Sequence, residues 1–172
     1  RCIVITLTKS ALYKKNAKLK YELYDSQDYQ DAWAKVAKAM DYLIPILQQD
    51  GLISSTNDLS TNNSLVPIVG YLVENDNRFT GSIKYQFLYW MFLANIWSRY
   101  SGQTDARLDK DIYIINNSEN IISDLVQEIE DNRGRLEVKE ADMEGRTAGH
   151  PLYKMLYVIT KAKKAIDWSN GG

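Results

Sequence analysis

The chain has 172 residues, 45% hydrophobic and 25% charged, which is ordinary for a soluble globular protein with room for a substantial core. Its 21 basic and 22 acidic residues leave a net charge of −1, so no overall attraction to nucleic acid or membrane follows, only what a local patch supplies. A single cysteine, Cys2, rules out an intrachain disulfide and weakly favours a reducing compartment.

Residues 1–12 read two ways: Ile3, Val4, Leu7 and Ala11 suit a helix, whereas Ile3, Ile5 and Leu7 suit a strand. The helix is the better reading, because no other segment offers a convincing sheet partner. The same stretch lacks the long apolar core and small-residue cleavage site of a secretory signal. The next helix shows the clearest period. Trp33, Val36, Ala37, Met40, Leu43, Ile44 and Leu47 recur at spacings of three and four, with Asp31 and Lys35 one turn apart on the polar side. Ser26 is the expected N-cap and Gly51 the expected stop, while Pro45 should kink the last turns or end the helix early.

Residues 54–64 are polar and rich in turn formers, and predict a surface loop. Leu65, Ile68, Val69 and Leu72 restart the helical spacing, with Pro67 in a tolerant first turn. From Ser82 to about Tyr100 the sequence predicts a helix that is apolar on most of its circumference, interrupted by Lys84, Gln86 and Asn95, and closed by Gly102. It is the nearest approach to a membrane span and falls short of one. A helix of this kind is normally surrounded by others, so Trp90, Phe92 and Trp97 are the expected centre of the core. Leu108, Ile112 and Ile115 mark the following helix, with Asp105 at its positive end. Asn117 or Ser118 caps another, holding Ile121, Ile122, Leu125 and Ile129 and stopped by Gly134. Residues 135–139 suit a short extended segment. His150-Pro151 opens the last helix, with Leu152, Met155, Leu156, Ile159 and Ala162 inward and Lys154, Lys161, Lys163 and Lys164 on the far side. The expectation is one all-α domain over 1–172, an irregular multi-helix bundle around a central aromatic-rich buried helix.

Chemistry is harder to find. Asp124 or Asp131 with Glu137-Val138-Lys139 loosely imitates the Asp and Glu-x-Lys set of metal-dependent nucleases, but those aspartates lie on a helix and a solvated surface explains them. His150 is the only histidine and lacks partners at metal-ligand spacing, so capping accounts for it. Two basic sets stand out: Lys9, Lys14, Lys15, Lys18 and Lys20, interleaved with Tyr13, Tyr21 and Tyr24, and the lysines of the last helix. Either set could neutralise DNA phosphates, although solvated faces are the ordinary use of such runs. The best candidate is Arg99-Tyr100-Ser101-Gly102 followed by Arg107, where arginines at a helix junction could hold a phosphate. Asp105, Asp109 and Asp111 compete for the same arginines, and favour an ion pair that fixes the junction. No Gly-rich phosphate loop, nucleophile triad or Cys/His metal pattern occurs, so no catalytic or metal-ligating residue is assigned.

The order of several short pieces resembles the helical middle region of the GmrSD-type modification-dependent restriction nucleases. These pieces are Met40-Asp41-Tyr42-Leu43-Ile44, Ser98-Arg99-Tyr100-Ser101-Gly102, Leu108-Asp109-Lys110-Asp111-Ile112, the run from His150 to Tyr157, and Ala165-Ile166-Asp167-Trp168-Ser169. The likeness extends from about residue 28 to residue 172. Proteins of this kind look like three-part chains: a ParB/sulfiredoxin-like domain with a nucleotide-linked Asp-Gly-Gln-Gln-Arg motif, a helical middle, and a His-Asn-His nuclease domain. They are implicated in phage defence against DNA carrying modified cytosine.

This sequence has neither the Asp-Gly-Gln-Gln-Arg motif nor a histidine pair. The resemblance therefore implies the middle region alone, and no catalytic residue carries over. It opens at Arg1 and closes on Asn170-Gly171-Gly172, ends that read as cut from a longer bacterial, cytoplasmic protein. The resemblance implies no cofactor for this piece, with a nucleotide and a divalent metal left to the parent. The flanking domains are the expected partners, DNA is a further one, and membrane is not. The functional expectation is a non-catalytic coupling domain whose candidate phosphate contacts are Arg99, Arg107, Lys154, Lys161, Lys163 and Lys164. Its rivals are an interaction or oligomerisation module and, last, a metal nuclease using Glu137 and Lys139.

Overall fold

A computed structural model of the chain describes residues 1–9 and 24–163. The described residues form seven α-helices and no strand, the all-α class that the periodicities predict. In chain order the helices are α1 (Cys2–Thr8), α2 (Ser26–Gln49), α3 (Leu65–Glu74), α4 (Ile83–Ile96), α5 (Thr104–Asn117), α6 (Ile121–Arg133) and α7 (Pro151–Ala162). Short 3₁₀ turns lie at Thr56–Asp58, Asn62–Ser64 and Glu140–Asp142. None of these helices is long and apolar enough to cross a membrane.

Helix α2 is capped one residue before the expected position. Asp25, not Ser26, accepts the amides of Gln27 and Asp28 at 2.8 and 3.0 Å, and Asp28 accepts the Asp25 amide in return at 2.9 Å. This reciprocal box satisfies several orphan donors and places negative charge on the positive end of the dipole. Pro45 does not end the helix, which runs on to Gln49. Pro45 and Asp41, one turn earlier, are both exposed, so the helix forgoes that bond on its solvent side. The buried stripe is Ala32, Val36, Ala39, Leu43 and Leu47, while Trp33 is 61% exposed and Ile44 42%. Two alanines in the stripe allow α1 and α3 to pack close, and the bulkier apolar neighbours are turned outward.

Gly51 is required for a reason other than handedness. A Cβ there would sit 2.8 Å from the Leu47 carbonyl oxygen, and the left-handed conformation falls on Leu52 instead.

Helices α3 and α4 form the centre. Most of α3 is buried, and α4 buries Phe87, Leu88, Trp90, Met91, Leu93, Ala94 and Asn95. The aromatic core joins Phe87 to Tyr71 at 4.8 Å, to Phe79 at 5.7 Å and edge-on to Trp90 at 6.5 Å, with Tyr42 and Tyr71 flanking Phe79. Of the expected centre, Trp90 and Trp97 are buried and Phe92 only partly so. Asn95, one of the polar residues that interrupt this helix, is fully buried and fully used. Its Oδ1 accepts from the amides of Ser60 and Thr61 and the hydroxyl of Ser60, and its Nδ2 donates to Ser64 and to the Met91 carbonyl. The 54–64 loop is thus fastened to α4 rather than lying free on the surface.

Helix α4 ends at Ile96, earlier than predicted. Ser98 takes the left-handed conformation (φ +50°), its amide reaches Asn95 at 3.2 Å, and the Arg99 amide reaches back to Ala94 at 2.9 Å. This is the paired-bond helix terminus usually built on glycine, here made with serine. Gly102 has positive φ too, but lies in the turn before α5. Gly134 closes α6 as expected, and the 135–139 segment forms no strand. In α7 the inward residues are Leu152, Met155 and Val158, with Leu156 and Ile159 partly exposed at 40% and 38%. His150 caps that helix through Nδ1, which accepts the Leu152 amide at 3.3 Å.

Candidate nucleic-acid interface at the arginine junction

The early end of α4 aims Arg99 back into the protein. Its guanidinium forms a two-pronged pair with Asp111 of α5, with Nε donating to Oδ2 at 2.8 Å and Nη2 to Oδ1. Nη1 donates to the Glu128 carbonyl of α6 at 3.2 Å, and the Glu128 carboxylate lies 3.9 Å from Nη2. The Tyr100 hydroxyl donates to Asp111 Oδ2 at 2.6 Å. One side chain thereby fastens the turn after α4 to α5 and α6. The side chains of Arg99 and Asp111 are 2% and 0% exposed, so this pair is shielded from solvent.

Burial sets the protonation of the group. It pushes the Asp111 carboxyl above its usual range, against the pull of Arg99 and the Tyr100 hydroxyl. It pushes the Tyr100 phenol well up, helped by the neighbouring Asp111 charge, so Tyr100 stays a donor. Burial works against the Arg99 cation, but Asp111 outweighs it and holds the guanidinium above its ordinary value.

Arg107 reinforces the same junction from the outside. Its Nη1 donates to the carbonyls of Arg99 and of Ser101, the latter at 3.2 Å. Beside it, Trp97 is buried, donates from Nε1 to the Leu136 carbonyl at 3.2 Å, and carries Arg133 at 5.0 Å and Arg135 at 5.6 Å over its ring. Arg135 is further held by Asp142 at 2.7 Å.

The predicted phosphate contacts therefore separate. Arg99 is turned inward and matched by Asp111, while Arg107 lies at the rim of the same junction. Lys154 reaches the Leu59 carbonyl at 3.4 Å and Lys161 the Ser54 hydroxyl at 3.2 Å, so both brace the 54–64 loop on another part of the molecule. Lys163 is exposed at the end of α7. Lys164, Lys14, Lys15, Lys18, Lys20, Tyr13, Tyr21 and the 165–169 motif lie outside the described residues.

The nuclease-like set does not assemble on its own terms. Asp124 accepts from Ser118, Asp131 accepts from Gln127, and Glu137 is exposed. No group of three acidic, histidine or cysteine side chains among the described residues could hold a metal ion. Sequence reasoning missed Trp97, Asn132 and Arg133 as members of the junction. The only local signal was an arginine in the last helical turn before Gly134. No family model, no curated protein and no solved structure matches the chain.

Proposed function

We propose that this chain is a non-catalytic helical scaffold that couples the flanking domains of a GmrSD-like DNA-restriction protein and touches DNA backbone through surface cations. The buried Arg99–Asp111–Tyr100 lock is the observation that carries the reading. A coupling element must transmit displacement rather than absorb it, and a shielded ion pair joining three helical segments resists small adjustments. The exposed Lys163 and the rim residue Arg107 supply the cations, and the motif resemblance supplies the parent.

Sequencing the coding region on either side is the direct test. A ParB-like segment before Arg1 and a His-Asn-His segment after Gly172 are expected, and unrelated neighbours would overturn the parentage. For the DNA contact, duplex affinity of the chain should fall steeply with salt and weaken further in Lys161→Glu/Lys163→Glu. Flat or undetectable binding at low salt would remove DNA from the reading.

A second reading draws on a different surface. Tyr85 and Tyr89 are 59% and 53% exposed, one turn apart on α4, beside Ile122 and Val126 of α6 in an open groove of about 430 Å³. Exposed aromatics along a groove suit a protein partner. Sedimentation that depends on protein concentration and is lost in Tyr89→Glu would favour this interaction module over the DNA-linked scaffold.

A further inference from the structure

The junction that hides Arg99 also has an outer face. A recess of about 340 Å³ opens there, between the turn at 97–101, Arg107 of α5, and Asn132 and Arg133 at the end of α6. Among the described residues no aspartate or glutamate lines it, although acidic residues outnumber basic ones in the chain. The local charge is therefore opposite in sign to the net charge. Since Asp111 already balances Arg99, the cations left to face the recess are Arg107 and Arg133.

Both are oriented by contacts other than an ion pair. Arg107 is fixed by two backbone carbonyls, which accept hydrogen bonds but carry no net charge. Arg133 is laid over the Trp97 ring, a contact that positions the guanidinium, and among the described residues no hydrogen bond or ion pair takes up its planar fork of N–H groups. Asp142 lies within electrostatic reach of Arg133, but its carboxylate is engaged by Arg135 and by the Lys139 amide. Asn132 is held at the rim by a bond to the Glu128 carbonyl at 2.6 Å, and Ser98 and Ser101 line the opposite edge. Two guanidinium forks with hydroxyl and amide donors between them match a tetrahedral oxyanion.

We propose that this recess is a phosphate-binding site in which Arg107 and Arg133 hold one phosphoryl group, either of a nucleic-acid backbone or of a nucleotide. The Trp97 face is covered by Arg133 and Arg135, so a base does not stack there and the site reads phosphate without reading sequence. The volume sits at the lower end of small-ligand sites, roughly 300–1,000 Å³, and leaves room for a sugar beside the phosphate. Only the nucleic-acid form of the proposal rests on the DNA-linked reading above; binding of phosphate itself does not.

The test is a nuclear magnetic resonance titration of the whole 172-residue chain at constant ionic strength. Three probes are used: inorganic phosphate, a duplex with hydroxyl ends, and a nucleoside triphosphate. The Trp97 indole N–H and the backbone amides of Ser98 and Asn132 report on the recess. Inorganic phosphate is expected to shift these signals saturably. Arg133→Gln should weaken that binding roughly tenfold or more, the effect of losing one charge-assisted donor set. Asn132→Glu, which places a carboxylate at the rim without touching Trp97, should weaken it as well, and it keeps the test decisive if the first variant misfolds. Shifts with the duplex assign the group to a nucleic-acid backbone. Shifts with the triphosphate but not the duplex assign it to a nucleotide and remove Arg107 from the DNA contact proposed above, leaving that contact to the lysines. Silence of all three signals with every probe overturns the site, as does binding that both variants leave unchanged. Duplex binding through the lysines with a recess silent to all three probes overturns the site and leaves the scaffold reading standing.

Discussion

Asp111→Ala is the most demanding perturbation of this molecule. The substitution strands a guanidinium whose side chain is 2% exposed, and it deprives the Tyr100 hydroxyl of its acceptor. Removing one partner of a buried ion pair costs about 3–5 kcal/mol, because the remaining charge is left without compensation. The unpaired phenol adds about 1–3 kcal/mol where it finds no new acceptor. The Glu128 carboxylate, 3.9 Å from Nη2, recovers part of this by moving toward Arg99, so about 4 kcal/mol is a fair central value. Domains are stable by about 5–15 kcal/mol in all, so the variant loses a large fraction of its margin. With a urea slope of about 1–3 kcal/mol/M the midpoint should fall by roughly 2 M. Urea titration followed by tryptophan fluorescence and by circular dichroism reads this directly. A midpoint within about 0.3 M of the unsubstituted chain would mean that Arg99 is solvated in the native state, and the lock described above would be wrong.

Three further outcomes follow from single observations. Ser98 holds a left-handed conformation that costs a non-glycine residue about 1 kcal/mol, so Ser98→Gly should leave the fold intact and raise stability by up to that amount in the same titration. Asn95→Ala leaves the amides of Ser60 and Thr61 without their acceptor and should cost at least about 2 kcal/mol, with amide exchange at 54–64 accelerating more than elsewhere. The Lys139 amide and then Arg135 hold the Asp142 carboxyl below its usual 3.8. A depressed carboxylate contributes stability that is present above the unfolded value and lost as pH falls through the folded one, so the 135–142 segment should loosen only below pH 3.8. Exchange of the Lys139 amide and the Trp97 indole N–H should accelerate there, and loosening already at pH 5 would contradict the assignment.

What the sequence reveals and what it hides divide along the range of the interactions. The Leu108, Ile112 and Ile115 stripe of α5, the stop at Gly134 and the His150-Pro151 start of α7 are local patterns, and the fold keeps them. The buried stripe of α2 keeps the expected Val36, Leu43 and Leu47 but takes Ala32 and Ala39 in place of Trp33 and Met40, because hydropathy ranks the larger residue first whereas close helix approach ranks the alanine first. The end of α4 comes early because a serine at 98 performs a turn that sequence rules assign to glycine. Nothing near Ser60 or Thr61 announces that Asn95, 35 and 34 residues away, accepts their amides. The candidate site is half legible for the same reason. Competition from nearby aspartates favours an ion pair for the arginine motif, and Arg99 makes it with Asp111. The meeting of Arg133 with Trp97, by contrast, exists only once α4 and α6 are packed together.

The lock also poses a question of purpose that stability alone does not answer. A buried ion pair gains little net free energy over apolar residues of similar volume, and replacing one outright is often neutral or stabilising by about 1–4 kcal/mol. Arg99→Met/Tyr100→Phe/Asp111→Leu should therefore fold at least as stably as the unsubstituted chain, in contrast to Asp111→Ala. What the replacement gives up is direction. Arg99 fixes the turn against both α5 and the Glu128 carbonyl, and that turn presents the two carbonyls that orient Arg107. A methionine side chain in place of Arg99 has no comparable preference for one angle, because dispersion contacts are non-directional. The triple variant should accordingly keep its urea midpoint while its Ser98 and Ser101 amide signals broaden, the signature of a turn exchanging between positions. Sharp, unshifted signals at Ser98 and Ser101 in a variant of undiminished stability would mean that the backbone terminus at Ala94 and Asn95 suffices to place the turn, and that the ion pair has no orienting role.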